Sequence, residues 1–246
     1  MANYFQKRHH FSLGDVEAVL PLKTWYAAVA VLPVMRRFVL LVANYTGITP
    51  NSITIGSIVL RLISAGCFLQ AQHAWLLAGA VCYYFAYLLD CSDGAVARLT
   101  GSSSEFGRYL DHFSDLVGDI LILAALAYGQ NMFFTVLLLS MVFMHIAEYY
   151  VSYLTSQLVA GRSSVSPESS HSLFFRLIGY RQLFFRRNFK SFLSLPDYEA
   201  WLFIVCPVIN RPDLGLQSGY FLLLVVVLYT IFSSFLTIHL GGKKFP

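Results

Sequence analysis

Four aspartates between Asp90 and Asp115 interrupt two long apolar segments of this chain. Asp90 and Asp93 are three residues apart near the end of one segment, and Asp111 and Asp115 are four apart near the start of the next. In helices these spacings put both members of a pair on one face. A carboxylate in hydrocarbon costs about 2.5–3.5 kcal/mol on insertion scales, so four of them require a cation or a wet cavity. Two facing pairs of hard oxygen ligands predict a site for Mg²⁺ or another oxygen-seeking divalent ion.

The apolar segments predict an all-α integral membrane protein. Hydrophobic residues make up 57% of the 246 residues and charged residues only 12%. Several apolar runs approach the roughly 20 residues that a membrane-spanning helix needs. We predict a six-helix bundle with spans at about residues 51–70, 75–98, 107–128, 132–158, 198–210 and 219–240. Arg61 falls in the middle of the first span, where an arginine is normally functional or paired inside the bundle.

The N-terminal part is predicted to differ from the bundle. Residues 1–48 form a cytoplasmic segment, and residues 49–246 form the six-span domain. Within the first segment, the apolar run Trp25–Val42 is interrupted by Pro33 and by two arginines after about eight residues. This is too short to cross about 30 Å of hydrocarbon. Because aromatic residues open the run, an amphipathic helix along the membrane interface is favoured over a transmembrane helix.

Positive charges fall on one side of this topology. If residue 1 is inside, fifteen of the seventeen Lys and Arg residues lie on the inner side, and only Arg61 and Arg211 do not. By the positive-inside rule, both termini are cytoplasmic. The aspartates then lie at the cytoplasmic face of the membrane, where soluble nucleotides can reach them.

The stretch between residues 160 and 197 interleaves arginines with phenylalanines. One interpretation is an interfacial helix that contacts anionic membrane lipids. The other is that some of its basic side chains bind a phosphate group in the active site. Both can hold for different residues. The residues concerned are Arg176, Arg181, Arg186, Arg187 and Lys190. No feature indicates nucleic-acid binding, since the basic residues border membrane segments.

The aspartate stretch follows the pattern D-x2-D-G-x2-A-R-x8-G-x3-D-x3-D, whose fixed positions are Asp90, Asp93, Gly94, Ala97, Arg98, Gly107, Asp111 and Asp115. This pattern resembles the signature of the CDP-alcohol phosphatidyltransferases. These membrane enzymes transfer a phosphoryl-linked group from a CDP-activated donor to an alcohol. The run TPNSIT at residues 49–54 is similar to the opening of the family's first span, and six spans is the family's usual number.

The resemblance implies a metal site and a nucleotide site. Two metal ions, Mg²⁺ or alternatively Mn²⁺, would be held by Asp90, Asp93, Asp111 and Asp115. They would neutralise the charge that develops as CMP leaves, and Asp115 would also act as catalytic base. Contacts to the CDP group would come from Asn51, Thr54, Gly94, Arg98, Ser104 and Gly107. The implied partners are a CDP-linked donor (a CDP-alcohol or CDP-diacylglycerol), a lipid or alcohol acceptor, and a second copy of the chain in a homodimer.

Residues outside the signature bear on which alcohol is used. The serines up to Ser104 and the pair Asp111–His112 resemble choline and ethanolamine phosphotransferases, in which His112 would be a further candidate for the general base. Glu148 lies beside Tyr149 and Tyr153, a combination that holds substituted ammonium groups; alternatively, Glu148 pairs with Arg61 or His145. We therefore expect a phospholipid synthase with an aminoalcohol-type headgroup.

Several alternatives stay open at this point. Inositol phosphate or glycerol phosphate would be the acceptor if CDP-diacylglycerol is the donor, and the basic stretch after residue 160 would suit such a phosphate. A Mg²⁺-dependent prenyltransferase also uses aspartate pairs, but without the G-x-x-A-R continuation found here. A divalent-ion transporter would need polar residues in both halves of the bundle. Asp119 lies outside the signature, and three roles are open for it. It could extend the metal site, line the path of the acceptor or pair with Arg61.

Overall fold

The computed structural model describes residues 10–21, 23–159 and 192–240, and the regular structure within these ranges is helical. The predicted all-α class is therefore confirmed for this part of the chain. In chain order the helices are α1 (Leu13–Ala18), α2 (Ala27–Tyr45), α3 (Pro50–Phe68), α4 (His73–Thr100), α5 (Glu105–Gly129), α6 (Val136–Val159), α7 (Leu195–Ala200, a π-helical turn at Trp201–Val205, and Cys206–Val208) and α8 (Pro212–Leu240).

Within the described ranges, five helices are long and apolar enough to cross a membrane: α2, α3, α4, α6 and α8. The chain is thus built as a multi-pass membrane protein. Two of the six predicted spans correspond to helices of a different character. α5 has 25 residues but carries five charged side chains, and α7 is divided by its π-helical turn.

The segment Trp25–Val42 differs from its prediction. Its helix continues through Pro33, because a π-helical turn at Ala27–Val31 precedes the proline. Pro33 then falls in the first turn of the α-helical part, a position at which proline is tolerated. Arg36 is neutralised by Glu17 of α1, with 2.7 Å between Nη1 and Oε1. The helix is therefore continuous over 19 residues and long enough to cross a membrane. Its predicted place along the membrane interface stays a prediction.

α3 is the element on which both halves of the aspartate motif are assembled, since α4 and α5 both pack against it. Thr49 caps the start of α3 by accepting a hydrogen bond from the backbone N–H of Ser52 at 3.3 Å, and Pro50 is its first residue. Two serines of α3 donate to backbone carbonyls of α4 and hold the helices close: Ser57 to Ala86 at 2.8 Å and Ser64 to Gly79 at 2.9 Å.

The short connection between α4 and α5 has the residues that its geometry requires. Gly101 ends α4 with a φ of 66°, in the left-handed region that glycine tolerates best. Ser104 begins α5, and its hydroxyl accepts the backbone N–H of Gly107 at 2.9 Å. Because the connection is short, the C-terminal part of α4 and the N-terminal part of α5 lie at the same end of the bundle, and they carry the aspartates.

Two apolar clusters hold the helices together. One joins the ends of α3 and α5 and the start of α4 to α6, α7 and α8, around buried residues such as Phe68, Tyr83 and Phe203. The other joins α1 and α2 to the C-terminal half of α4, and it includes Met35 and Ile53. The second cluster contains residues from both sides of the predicted boundary at residue 48. The N-terminal segment therefore shares a core with the domain that follows it.

Candidate active site

Three of the four signature aspartates converge. Asp90 of α4 and Asp111 and Asp115 of α5 each contribute one carboxylate oxygen to a group whose members lie within 4.8 Å of one another. Oδ1 of Asp90 is buried and makes no hydrogen bond within the described ranges, although Nη2 of Arg61 lies 3.3 Å away. Hard, anionic oxygens at this spacing are the ligands that Mg²⁺ and Mn²⁺ prefer. These residues therefore fit the divalent cation that the sequence predicted.

Asp93 stands apart from this group. Its side chain is buried, and its Oδ2 accepts a hydrogen bond from the hydroxyl group of Thr54 on α3. The structure therefore brings together three of the four predicted metal ligands and ties the fourth to a residue of the predicted nucleotide site. The part of Asp93 in metal binding stays a prediction.

All six residues predicted to contact CDP line a single cavity of about 480 Å³, which we call the donor cavity. They come from α3, α4 and α5 and are Asn51, Thr54, Gly94, Arg98, Ser104 and Gly107. Asp93 and Asp111 border the same cavity. Because α4 and α5 both pack against α3, polar groups of all three helices come together in one cavity that could hold a nucleotide diphosphate.

Two glycines keep the donor cavity open. A Cβ atom at Gly107 would lie 3.0 Å from Oδ1 of Asn51, and one at Gly94 would lie 3.1 Å from Nη1 of Arg98. The guanidinium of Arg98 is oriented from outside the motif, because its Nε donates a hydrogen bond to the backbone carbonyl of Val19 at 2.8 Å. The N-terminal segment thus fixes the position of a side chain predicted to contact the nucleotide.

A second cavity of about 510 Å³, here called the acceptor cavity, lies between α5, α6 and α7 and is also bordered by Asp90 and Asp115. His112 lines it and meets the ring of Tyr153 edge-on, with 6.3 Å between the ring centroids. Both predicted catalytic residues, Asp115 and His112, therefore belong to this cavity. The converging carboxylates border both cavities, because Asp111 lines the donor cavity and Asp90 and Asp115 line the acceptor cavity.

Arg61 is paired inside the bundle, as its position in the sequence predicted. Its Nη2 lies 2.7 Å from Oδ1 of Asp115 and 3.3 Å from Oδ1 of Asp90, and its Nη1 lies 3.9 Å from Oδ1 of Asp119. Of the roles considered for Asp119, pairing with Arg61 and lining the acceptor cavity are both found, whereas Asp119 lies outside the three-carboxylate group.

Glu148 lines the acceptor cavity together with Tyr149 and Tyr153. Its Oε1 accepts hydrogen bonds from Ser152 at 2.9 Å and from Thr230 of α8 at 3.2 Å. The partners weighed from the sequence were Arg61 and His145. The hydrogen bonds and ion pairs of the described residues join Glu148 to neither of them, and His145 instead meets the hydroxyl group of Tyr198 at 3.3 Å.

Glu199 of α7 is a site residue that sequence reasoning missed. It is 3% exposed and lines the acceptor cavity, and its Oε2 accepts a hydrogen bond from the hydroxyl group of Tyr83 at 3.1 Å. A carboxylate inside a predicted span was the available signal. The predicted phosphate ligands Arg176, Arg181, Arg186, Arg187 and Lys190 lie outside the described residues.

Comparison with known proteins identifies the family. The model of the CDP-alcohol phosphatidyltransferase family matches residues 47–182, which is more than half of the chain and includes the whole donor cavity. The chain belongs to the CDP-alcohol phosphatidyltransferase family. The resemblance seen in the aspartate signature is thereby confirmed.

Three curated relatives were compared. An archaetidylinositol phosphate synthase from Pyrococcus horikoshii is 41% identical over 108 residues, which cover 44% of this chain and 53% of that protein. A phosphatidylinositol phosphate synthase from Mycolicibacterium smegmatis is 34% identical over 33% of this chain and 36% of its own length. A CDP-diacylglycerol–inositol 3-phosphatidyltransferase from Drosophila melanogaster is 28% identical over 64% of this chain and 62% of its own. The chain thus spans about half the length of the archaeal relative and less than two thirds of the others.

A solved structure of Mycobacterium tuberculosis phosphatidylinositol phosphate synthase, in complex with manganese and citrate, superposes on this chain with a TM-score of 0.47 and 19% sequence identity. The superposition covers 87% of this chain and 91% of that one.

The carboxylate geometry leads to a prediction about metal binding. Asp111→Asn should weaken Mn²⁺ binding by more than the roughly tenfold that loss of an outer-shell partner costs, because a neutral amide replaces a charged ligand. Titration of the purified protein in detergent, followed by electron paramagnetic resonance of free Mn²⁺, measures the change. Asp213→Asn is the matched control, since that carboxylate lies in the first turn of α8 and pairs with Arg211 at 3.1 Å. Asp93→Asn should remove one of two bound ions; an unchanged stoichiometry would exclude Asp93 as a ligand.

Proposed function

We propose that this chain transfers the phospholipid part of a CDP-linked lipid donor to a hydroxyl group of an inositol phosphate, with release of CMP. The observation that carries the proposal is a three-carboxylate group with members on two cavities: Asp111 lines the donor cavity, and Asp90 and Asp115 line the acceptor cavity. A transferase needs such an arrangement, because the acceptor oxygen and the leaving CMP must lie on opposite sides of one phosphorus atom.

The relatives support inositol rather than an aminoalcohol as the acceptor class. Their names specify synthases of archaetidylinositol phosphate and phosphatidylinositol phosphate and an inositol phosphatidyltransferase. This favours the alternative weighed in the sequence analysis over its main expectation. The main expectation rested on the serines up to Ser104, on the pair Asp111–His112 and on Glu148. Oε1 of Glu148 is engaged by two hydroxyl groups of the protein.

The side chains around the carboxylates suit the chemistry of such a transfer. We assign Asp90, Asp111 and Asp115 as ligands of the divalent cation, with Asp93 as a ligand of a second one. When bound, these ions would neutralise charge on the pyrophosphate as CMP leaves. Arg98, held over Gly94 by the carbonyl of Val19, is the proposed phosphate contact on the donor side.

Asp115 is the proposed base, because it borders the acceptor cavity as well as the metal group. The acceptor oxygen forms a bond to the lipid-bearing phosphorus, the bond from that phosphorus to CMP breaks, and the hydroxyl proton passes to the Asp115 carboxylate. Arg61 holds Oδ1 of Asp115 at 2.7 Å, so the carboxylate has a fixed orientation toward the cavity.

The acceptor cavity offers partners for a polyol. The carboxylates of Asp119, Glu148 and Glu199 can accept hydrogen bonds from ring hydroxyl groups, and Ser152 and Ser156 can donate or accept. The phosphate of the acceptor needs cationic partners. The basic stretch that begins just after α6 is the proposed source, since the last turns of α6 line this cavity.

An aminoalcohol-type transfer is the second candidate function. The observation in its favour is the grouping of Tyr149, Tyr150 and Tyr153 with Glu148 in the acceptor cavity. Aromatic faces beside a carboxylate bind substituted ammonium groups, at about 0.5–2 kcal/mol per contact.

A panel of acceptors separates the two functions. With CDP-diacylglycerol or CDP-archaeol as donor, CMP should be released with inositol phosphate, and less than a tenth as fast with serine, glycerol phosphate or free inositol. CDP-choline or CDP-ethanolamine with diacylglycerol should give no CMP above background, and EDTA should abolish the reaction with every donor. CMP is quantified by chromatography after reaction in mixed micelles. Turnover of CDP-choline with diacylglycerol, and none with inositol phosphate, would replace the proposal by the second candidate.

The assignment of the base gives a further prediction. A general base contributes about 10²–10⁴-fold to the rate. If Asp115 has this role, His112→Ala should lower kcat by less than about tenfold with little change in the KM of the donor, because His112 lies outside the donor cavity. Steady-state rates at saturating divalent cation measure both constants. A loss of 100-fold or more in kcat would transfer the base role to His112.

We also propose that the six predicted spans put both termini and the active site at the cytoplasmic face, as the positive charges indicate. In a variant without the four native cysteines, Ser102→Cys lies in the α4–α5 connection and Gln130→Cys follows α5 at the other end. A membrane-impermeant maleimide should label position 102 only in inside-out vesicles and position 130 only in right-side-out vesicles. The opposite pattern would reverse the orientation.

A further inference from the structure

Arg61 lies between the predicted metal ligands and the backbone of α5. Its side chain is 4% exposed. Besides its ion pairs with Asp115 and Asp90, its Nη1 donates a hydrogen bond to the backbone carbonyl of Ser114 at 2.7 Å. A Cβ atom at Gly118 would lie 2.8 Å from Cδ of Arg61, so the arginine stem crosses α5 where that helix has no side chain. The guanidinium is therefore held in one place by α5 and contacts ligands from both motif helices.

A second pair of acids lies on the far side of Arg61. Asp119 and Glu199 are 2% and 3% exposed, and each keeps one buried oxygen without a hydrogen-bond partner in the described part of the chain, Oδ1 and Oε1 respectively. The hydroxyl group of Tyr149 donates to Oδ2 of Asp119 at 3.3 Å, and that of Tyr83 donates to Oε2 of Glu199 at 3.1 Å. Buried charges of this kind are tolerated only when they are paired.

We propose that Arg61 is a positioning residue that sets the spacing of the metal-binding carboxylates, and that Asp119 holds Arg61 in place from the acceptor side. Like-charged carboxylates within 4.8 Å of one another repel, and a fixed guanidinium between Asp90 and Asp115 opposes that repulsion. It contacts only Oδ1 of each carboxylate. Each ligand therefore keeps a second oxygen for another partner.

α7 borders the same cavity as these carboxylates. Glu199 is the only acid that α7 contributes to the acceptor cavity among the described residues, and Asp115 and Asp119 line that cavity as well. Asp119 in turn pairs with Arg61, with 3.9 Å between Oδ1 and Nη1. The inference rests on the proposed function only in taking these carboxylates as metal ligands.

Substitution of Arg61 tests the proposal, because positioning and simple electrostatics predict opposite changes in Mn²⁺ affinity. Removing a positive charge beside a cation site would by charge alone tighten cation binding. If Arg61 positions the ligands, Arg61→Gln should instead weaken Mn²⁺ binding by about 10–100-fold, the range for loss of an outer-shell partner. Arg61→Lys keeps the charge but loses the two-pronged contact, and it should weaken binding by a similar factor. Titration of the purified protein with Mn²⁺, followed by electron paramagnetic resonance, measures this affinity without any substrate.

Asp119→Asn tests whether Asp119 acts through Arg61. Alone it should lower kcat by about 10–100-fold and weaken Mn²⁺ binding, with the KM of the CDP-linked donor within about twofold of wild type, because Asp119 lies outside the donor cavity. Combined with Arg61→Gln it should add less than about twofold to the effect of Arg61→Gln alone. Asp213→Asn, which removes an acid at the opposite end of the bundle, should change neither constant.

Two outcomes would overturn the proposal. One is Mn²⁺ binding by Arg61→Gln that is unchanged or tighter, and the other is fully multiplicative effects of the Arg61 and Asp119 substitutions. If either variant fails to give a monodisperse protein, Tyr149→Phe removes only the hydroxyl group that holds Asp119. It should weaken Mn²⁺ binding by about fivefold, as expected for one neutral hydrogen bond, and no change would count against the network. The Mn²⁺ binding measurements use no substrate, so they stay valid if the inositol phosphate assay fails. The role of Arg61 and the proposed function are therefore tested separately.

Discussion

The ion pairs around Arg61 are the interaction on which the rest of this structure depends. A guanidinium in the middle of α3 and carboxylates on α4 and α5 are each unfavourable in an apolar bundle, at about 2.5–3.5 kcal/mol per charge on insertion scales. Losing one member of a buried pair costs about 3–5 kcal/mol, because the other charge is left uncompensated. The charges are tolerated only when the three helices pack together, and that packing also assembles the carboxylate group.

Small residues make this close assembly compatible with open cavities. Ser57 and Ser64 bond α3 to the backbone of α4, and Gly118 lets the Arg61 side chain cross α5. Gly94 and Gly107 leave space at the donor cavity, where larger side chains would meet Arg98 and Asn51. The bundle is therefore tight on the side of Arg61 and open where a nucleotide diphosphate would enter.

Much of the donor side could be predicted from the sequence, because helical spacing fixes which motif residues share a face. Six predicted CDP contacts lie in one cavity, and three of four aspartates converge. The misses have physical causes. The continuation of α2 through Pro33 depends on a π-helical turn, which residue spacing does not reveal. Glu199 reaches the site only through the packing of α7, which places it beside residues distant in sequence. The hydrogen bond from Thr54 to Asp93 likewise joins residues distant in sequence, and the metal role of Asp93 stays a prediction.

The two cavities also draw on different parts of the chain, which explains why the reaction class is easier to infer than the acceptor. Every residue that lines the donor cavity lies between Pro50 and Asp111, within the range that matches the family. The acceptor cavity needs Glu148 and Tyr153 of α6 and Glu199 of α7, contributed from far along the chain. In the proposed function, a local motif carries the chemistry of phosphoryl transfer, whereas the choice of alcohol would depend on how α6 and α7 pack beside Asp115. The pair Asp111–His112 belongs to the signature, whereas α6 and α7 supply much of the acceptor cavity. The resemblance of this pair to aminoalcohol enzymes is therefore weak evidence about the acceptor.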